Sequence, residues 1–291
     1  MRAGAKSREA LRAALPRTLA DHELIRLIAF GSYGDVWLGR NQLTGTHRAI
    51  KIVWRDAFST SKPYEREFEG IKRFEPVSRK HPGFVHILQT GLLEFGFYYI
   101  MELADGLESV TDMRDYKPAT LASFQQIHSV PEAIRIGISL TKCLGVLHSV
   151  GLIHRDIKPS NIIFVDGAPK LADIGLIAAV SEANSFVGTN GFIAPEGPTS
   201  SQSDIYSLGK LLYEIATGND RLEFPNLPAD ISEKESLLLE LNQVILKACH
   251  PDVRHRYKSV QALGDELEFL LQGKSLKRVR QLENALRWTR A

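Results

Sequence analysis

The stretch His154-Arg155-Asp156-Ile157-Lys158-Pro159-Ser160-Asn161 concentrates a carboxylate, cations and an amide in eight residues, and Asp173 follows two short apolar runs later. Those runs, 162–165 and 170–172, are strand-like. The Asp166-Gly167 between them is a strong turn signal, so residues 162–172 are predicted to form a short antiparallel hairpin. A hairpin brings its outer ends together. Asn161 entering it and Asp173 leaving it are therefore expected to converge. Two hard oxygen donors with room for water suit magnesium, which takes few protein ligands. Asp156, just upstream, is expected near that ion without being forced to ligate it.

With Asp173-Ile174-Gly175 and Ala194-Pro195-Glu196 following in order, the chain resembles the eukaryotic-type (Hanks-type) serine/threonine protein kinases, whose signature is H-R-D-L-x-x-x-N, D-F-G, A-P-E. One such tripeptide arises often by chance; three in register do not. The resemblance implies a bilobal α+β fold, with a small β-rich N-lobe carrying one helix and a larger, mostly helical C-lobe. It implies that Asp156 positions the substrate hydroxyl and accepts its proton, while Asn161 and Asp173 hold the Mg²⁺ that bridges the phosphates of ATP. Lys158 matches the Ser/Thr-specific subgroup, where it neutralises the transferring phosphoryl. Thr189 aligns with a threonine that hydrogen-bonds the catalytic Asp and Lys. Arg155 matches the arginine that pairs with a phosphate in the activation segment. Asp204, expected to open a helix over 204–217, aligns with the aspartate that anchors the catalytic loop, and Arg256 with the arginine that pairs with Glu196.

These residues need a scaffold. From Leu24 the chain alternates in short β-type runs at 24–30, 35–40 and 46–53, separated by glycine-bearing turns that let backbone N–H groups approach phosphate. The loop Ala29-Phe30-Gly31-Ser32-Tyr33-Gly34-Asp35-Val36 resembles the family's G-x-G-x-x-G-x-V, with Ala29 in place of the first glycine. Ala49, Lys51 and Val53 share one face of their strand, and Ala49 is small enough to lie beside adenine. The resemblance points Lys51 at the α/β-phosphates. A buried lysine needs a carboxylate. The helix over 64–74 offers Glu65, Glu67 and Glu69, and the family spacing selects Glu67. A loop containing Pro76 leads to strands near 84–92 and 97–103, which end at a hinge. By resemblance Met101 is the gatekeeper, a position that core packing also explains, and the backbone of Glu102, Leu103 and Ala104 hydrogen-bonds adenine.

Residues 107–130 read as an irregular insertion, and 131–150, 235–249 and 259–271 as helices. The domains expected are a basic leader (1–23), the N-lobe (24–103), the C-lobe (104–271) and a basic amphipathic helix (272–291), with the resemblance covering about 24–271. That last helix carries Leu276, Val279, Leu282 and Leu286 on one stripe, with Trp288 near its end, and is read as docked or facing a partner, with an interfacial membrane contact as the alternative. Ser181 and Ser185 are the candidate autophosphorylation sites.

Apolar and charged fractions of 44% and 24% are ordinary for a globular protein. The net charge is +2, but residues 1–22 carry +3 and 273–291 carry +5, leaving −6 between them. Nucleic acid is not an expected partner; protein substrates and ATP are. Residues 1–19 lack the apolar core of a secretory signal, and Cys143 and Cys249 read as buried thiols, so a cytoplasmic location is expected. A pseudokinase scaffold and a small-molecule phosphotransferase are the rival readings. Lys51, Asp156 and Asp173 argue against the first, and Ala194-Pro195-Glu196 with Arg256 against the second.

Overall fold

The computed structural model describes residues 8–31, 33–58, 60–109, 112–124, 129–173, 178–179, 189–228 and 236–275 of the 291. The expectations for Ile174-Gly175, Ser181, Ser185, the stripe from Leu276 to Leu286 and Trp288 lie outside the described residues. The chain forms two compact units, 1–123 with 163–175 and 124–162 with 176–291. The first is β-rich and the second mostly helical, giving the bilobal α+β class.

In the first unit, α1 (Arg8–Ala13) precedes strands β1 (Thr18–Leu19), β2 (His22–Phe30), β3 (Gly34–Asn41) and β4 (His47–Trp54). Helix α2 (Ser61–Ser78) follows, then β5 (Ile87–Leu93) and β6 (Gly96–Met101). The sheet order is β1-β2-β3-β4-β6-β5, antiparallel throughout. Residues 49–54 of β4 are buried on both faces. Ile50, Ile52 and Trp54 meet Tyr98 and Ile100 of β6 together with Leu11 and Leu19 from the leader. Lys51 lies on the opposite face by strand alternation, in register with Tyr99.

α2 is longer than the expected 64–74 and runs through Pro76. The proline sits in the last turn, where one missing N–H leaves most of the hydrogen-bond ladder intact, so it marks the approaching end instead of breaking the helix. Ser78 closes the helix: its hydroxyl donates to the Glu75 carbonyl and accepts the Ile87 N–H, tying α2 to β5. Of the three candidate glutamates on α2, Glu65 and Glu69 are exposed and Glu67 is buried.

The hairpin β8 (Ile162–Val165) and β9 (Ala168–Leu171) turns through Asp166 and Gly167, both at positive φ, +52° and +72°. That is the geometry a two-residue Asp-Gly turn supplies. Asp105 fastens the turn by accepting the N–H groups of Asp166 and Gly167. The irregular segment after the hinge is tied down where it is described: Tyr116 is buried and donates to the Ala104 carbonyl.

In the second unit, α3 (Val130–Ser149) starts with a reciprocal cap between Ser129 and Glu132. Strand β7 (Leu152–Ile153) pairs with β10 (Ala178–Ala179). Helices α4 (Ser201–Thr217), α5 (Ser236–Ala248) and α6 (Val260–Leu271) pack around α3. A Cβ at Gly137 of α3 would lie 2.9 Å from both Leu212 and Leu267, so glycine sets how closely α4 and α6 approach. Cys143 and Cys249 are buried free thiols whose pKa burial pushes up to about 12. Among the described residues no helix is long and apolar enough to cross a membrane.

Candidate active site

The carboxylate of Asp156 is held from three sides. Thr189 Oγ1 donates to its Oδ1 at 2.9 Å, Lys158 Nζ contacts its Oδ2 at 2.7 Å, and Asn161 Nδ2 donates to the same Oδ2 at 2.9 Å. Lys158 also donates to Thr189 Oγ1 at 2.8 Å, which closes a ring of hydroxyl, ammonium and carboxylate. Asn161 spends its other N–H on the Asp156 carbonyl, so its own carbonyl oxygen faces away from the Asp156 carboxylate. Such a ring fixes the Asp156 rotamer with its carboxylate against the Lys158 ammonium, which suits a proton acceptor.

Behind the ring stands Asp204. The expected helix opens three residues earlier, because Ser200 and Ser203 cap it and leave Asp204 inside the first turn. Its fully buried carboxylate accepts the N–H of His154 at 2.9 Å, the N–H of Arg155 at 2.9 Å and a bond from His148 Nε2 at 2.8 Å. Burial opposes ionisation, but the His148 hydrogen bond and the surrounding donors outweigh it and hold the carboxyl below its usual range. Arg155 adopts φ +75°, a conformation non-glycine residues avoid. Arg256 grips Glu196 through two nitrogens at 2.6 and 2.8 Å.

In the first unit, the glycine loop closes on itself through Gly31 N–H to the Gly34 carbonyl at 2.8 Å. Gly34 has no alternative, since a Cβ there would lie 2.4 Å from the Ile52 carbonyl of β4. Gly31 has room, and Ala29 is exposed, so alanine at the first glycine position meets no steric objection. Val36 pairs with Lys51 in register and Ala49 with Met101. At the hinge, the Glu102 N–H goes to His86 and the Ala104 carbonyl to Tyr116, while the Glu102 carboxylate takes both bonds of Lys170. Leu103 is half-buried. The Ala104 N–H and the Glu102 carbonyl have no protein partner among the described residues.

Lys51 does not form the expected pair with Glu67. Its ammonium goes to Asp173, and both Glu67 oxygens lie buried without a hydrogen-bond partner. One ammonium cannot neutralise two carboxylates here. Asp173 is about two-fifths exposed and keeps water around its charge, whereas Glu67 would have to ionise almost dry. Burial accordingly pushes the Glu67 pKa up to about 8, against the pull of Lys51. For Lys51 burial works against the charge, but the Asp173 carboxylate prevails and raises the pKa. Asp173 sits at φ +55°, a strained conformation for a non-glycine residue, as Arg155 does.

The raised Glu67 pKa has a definite sign. Below the ordinary glutamate range the group is protonated in both folded and unfolded chains, and its contribution to stability is fully present; that contribution is lost as pH rises through about 8. Without nucleotide, Glu67→Gln is expected to melt with the wild type at pH 5 and above it at pH 9, by about 2–4 °C per kcal/mol relieved. Thermal melts at the two pH values check this.

The family profile described as the protein kinase domain matches residues 22–279. The chain belongs to the protein kinase domain family. This kinase domain is 27% identical over 266 residues to a probable serine/threonine-protein kinase PknB of Lactococcus lactis, covering 83% of this chain and 40% of that protein. It is 27% identical over 276 residues to the serine/threonine-protein kinase PrkC of Bacillus subtilis, covering 85% and 40%. To the serine/threonine-protein kinase PknB of Mycobacterium tuberculosis it is 27% identical over 283 residues, covering 87% and 43%. The kinase domain thus spans about two fifths of the length of these relatives.

Asn161 belongs to the second unit of the kinase domain and Asp173 to the first. The residues that sequence reasoning left without a role are Asp35 and Arg12, the leader arginine that reaches it. Asp35 is fully buried and accepts from Arg12 and Trp54. An acid directly after the last loop glycine, in a strand otherwise rich in apolar residues, was the available signal.

Proposed function

We propose that this kinase domain transfers the γ-phosphate of ATP to Ser and Thr hydroxyls of protein substrates, itself included, with Mg²⁺. The ring of Asp156, Lys158 and Thr189 supports this reading most directly. Asp156 accepts the proton of the incoming hydroxyl, whose oxygen bonds to the γ-phosphorus as the bond to the β-phosphate oxygen breaks and ADP leaves. Lys158 offsets charge on the transferring group, and Thr189 keeps lysine and aspartate in register. The gain comes from positioning and charge, with no covalent enzyme intermediate.

The residues fit the cofactors. Asp173 presents a part-exposed carboxylate and Asn161 a carbonyl oxygen, the hard donors magnesium takes. When bound, Mg²⁺ supplies charge neutralisation at the phosphates. Lys51 binds the α/β-phosphates, the loop from Ala29 through Gly31 and Gly34 to Val36 covers them, and Ala49, Met101 and the Glu102–Ala104 backbone hold adenine. Glu67, buried beside Lys51 with both oxygens unpartnered, would pair with that lysine where Asp173 holds the metal. The names of the bacterial relatives support Ser/Thr specificity, and none of the residues a transferase needs is missing.

The full chain is expected to gain several degrees of melting temperature with ATP and Mg²⁺ together, as binding to the folded state alone requires. Lys51→Met is expected to lose most of that gain. An unchanged melt for the wild type across millimolar ATP and Mg²⁺ would refute nucleotide binding.

A further inference from the structure

The segment ahead of residue 22 lies outside the family match, yet it is built into the nucleotide half. Leu11 and Leu19 fill the apolar cluster on the sheet face opposite Lys51. From that helix Arg12 forks onto Asp35, Nε to Oδ2 and Nη2 to Oδ1, both at 2.8 Å. Trp54 Nε1 gives the same carboxylate a third bond at 2.8 Å. One turn earlier, Arg8 Nη1 donates to the Gly31 carbonyl at 2.7 Å. Gly31 and Asp35 bracket the turn of the glycine loop. Both ends of that turn are therefore gripped from behind by one short helix.

A buried carboxylate is costly unless paired, and a bidentate arginine pairs it with fixed geometry. Trp54 alone would leave the buried Asp35 carboxyl a single donor, and the strand end that carries it would have reason to move towards water. A loop that offers backbone N–H groups to phosphate binds better when its shape is set beforehand, since ordering it on binding costs affinity.

We infer that residues 8–19 form a latch that holds the glycine loop in its nucleotide-binding shape, with Arg12 and Arg8 as positioning residues. The latch touches the loop from outside, so its docking and nucleotide affinity are coupled, and coupling is reciprocal. Its effect on affinity rests on the proposed nucleotide reading; its effect on loop order does not.

The test uses the full chain with Arg12→Ala, Arg12→Lys and Arg8→Ala. The first arm is amide hydrogen exchange at residues 29–36 without nucleotide. Arg12→Ala is expected to speed exchange there about tenfold, with α3 and α6 unchanged, and Arg12→Lys to restore part of the protection. Arg8→Ala, which removes the exposed hydrogen bond to the Gly31 carbonyl, is expected to act in the same direction more weakly, and it keeps the test decisive should Arg12→Ala fail to fold. The second arm is the Kd of a nonhydrolysable ATP analogue and the split of KM against kcat. Arg12→Ala is expected to raise Kd and KM for ATP about five- to thirtyfold while kcat stays within about twofold. Unchanged exchange at 29–36 in the folded variants overturns the latch. A wild type that binds no analogue refutes the nucleotide reading instead, and the exchange arm still decides the latch.

Discussion

Asp156→Asn is expected to lower turnover by about 10²–10⁴ while the protein melts at the wild-type temperature. The fold tolerates the change because Asn can keep every bond around the site. Its oxygen accepts from Asn161 and Lys158, and its NH₂ donates to Thr189 Oγ1, a hydroxyl that can accept where it formerly donated. What disappears is the basic lone pair facing the incoming hydroxyl. Steady-state kinetics beside a thermal melt check both halves, and near-normal turnover would remove Asp156 from the proton transfer.

The second large effect falls on stability. Asp204→Ala strands two backbone N–H groups and His148 in a buried place, and it releases Arg155 from a backbone conformation that costs about 1–3 kcal/mol to hold. Each of these three stranded donors costs about 1–3 kcal/mol, partly offset by the strain relieved at Arg155, so a loss of about 3–5 kcal/mol in chemical denaturation is expected. Because the folded Asp204 pKa is depressed, the contribution is present above the ordinary aspartate range and fades as pH falls through the folded value. The gap between variant and wild type should therefore narrow in acid. Turnover should fall as well, since the same carboxylate fixes the backbone that delivers Asp156.

Much of this was legible in the chain because it is local. Asp166-Gly167 between two apolar runs dictates the hairpin, and the glycine-bearing run before β3 dictates a tight turn, because φ and sterics act over a few residues. Glu67 could be chosen from three glutamates because it stands at the spacing from Ile71 and Phe74 that the family resemblance implies. Its partner could not. Whether Lys51 meets Glu67 or Asp173 depends on which carboxylate keeps its water, a property of the folded environment. Pro76 misled because a proline near a helix end reads like a breaker in sequence and behaves as a tolerated last-turn residue in the fold. The six residues of α1 are too few to show periodicity, and the carboxylate that Arg12 answers lies 23 residues downstream. Long-range pairing of a short helix leaves no local signature.

The central claim is phosphoryl transfer, and label from γ-³²P-ATP tests it most directly. The purified chain with Mg²⁺ should place label on serine or threonine of itself or of a generic protein substrate, and Asp156→Asn should place almost none. Tight, Mg²⁺-dependent ATP binding by the wild type with no label on any hydroxyl would contradict the account.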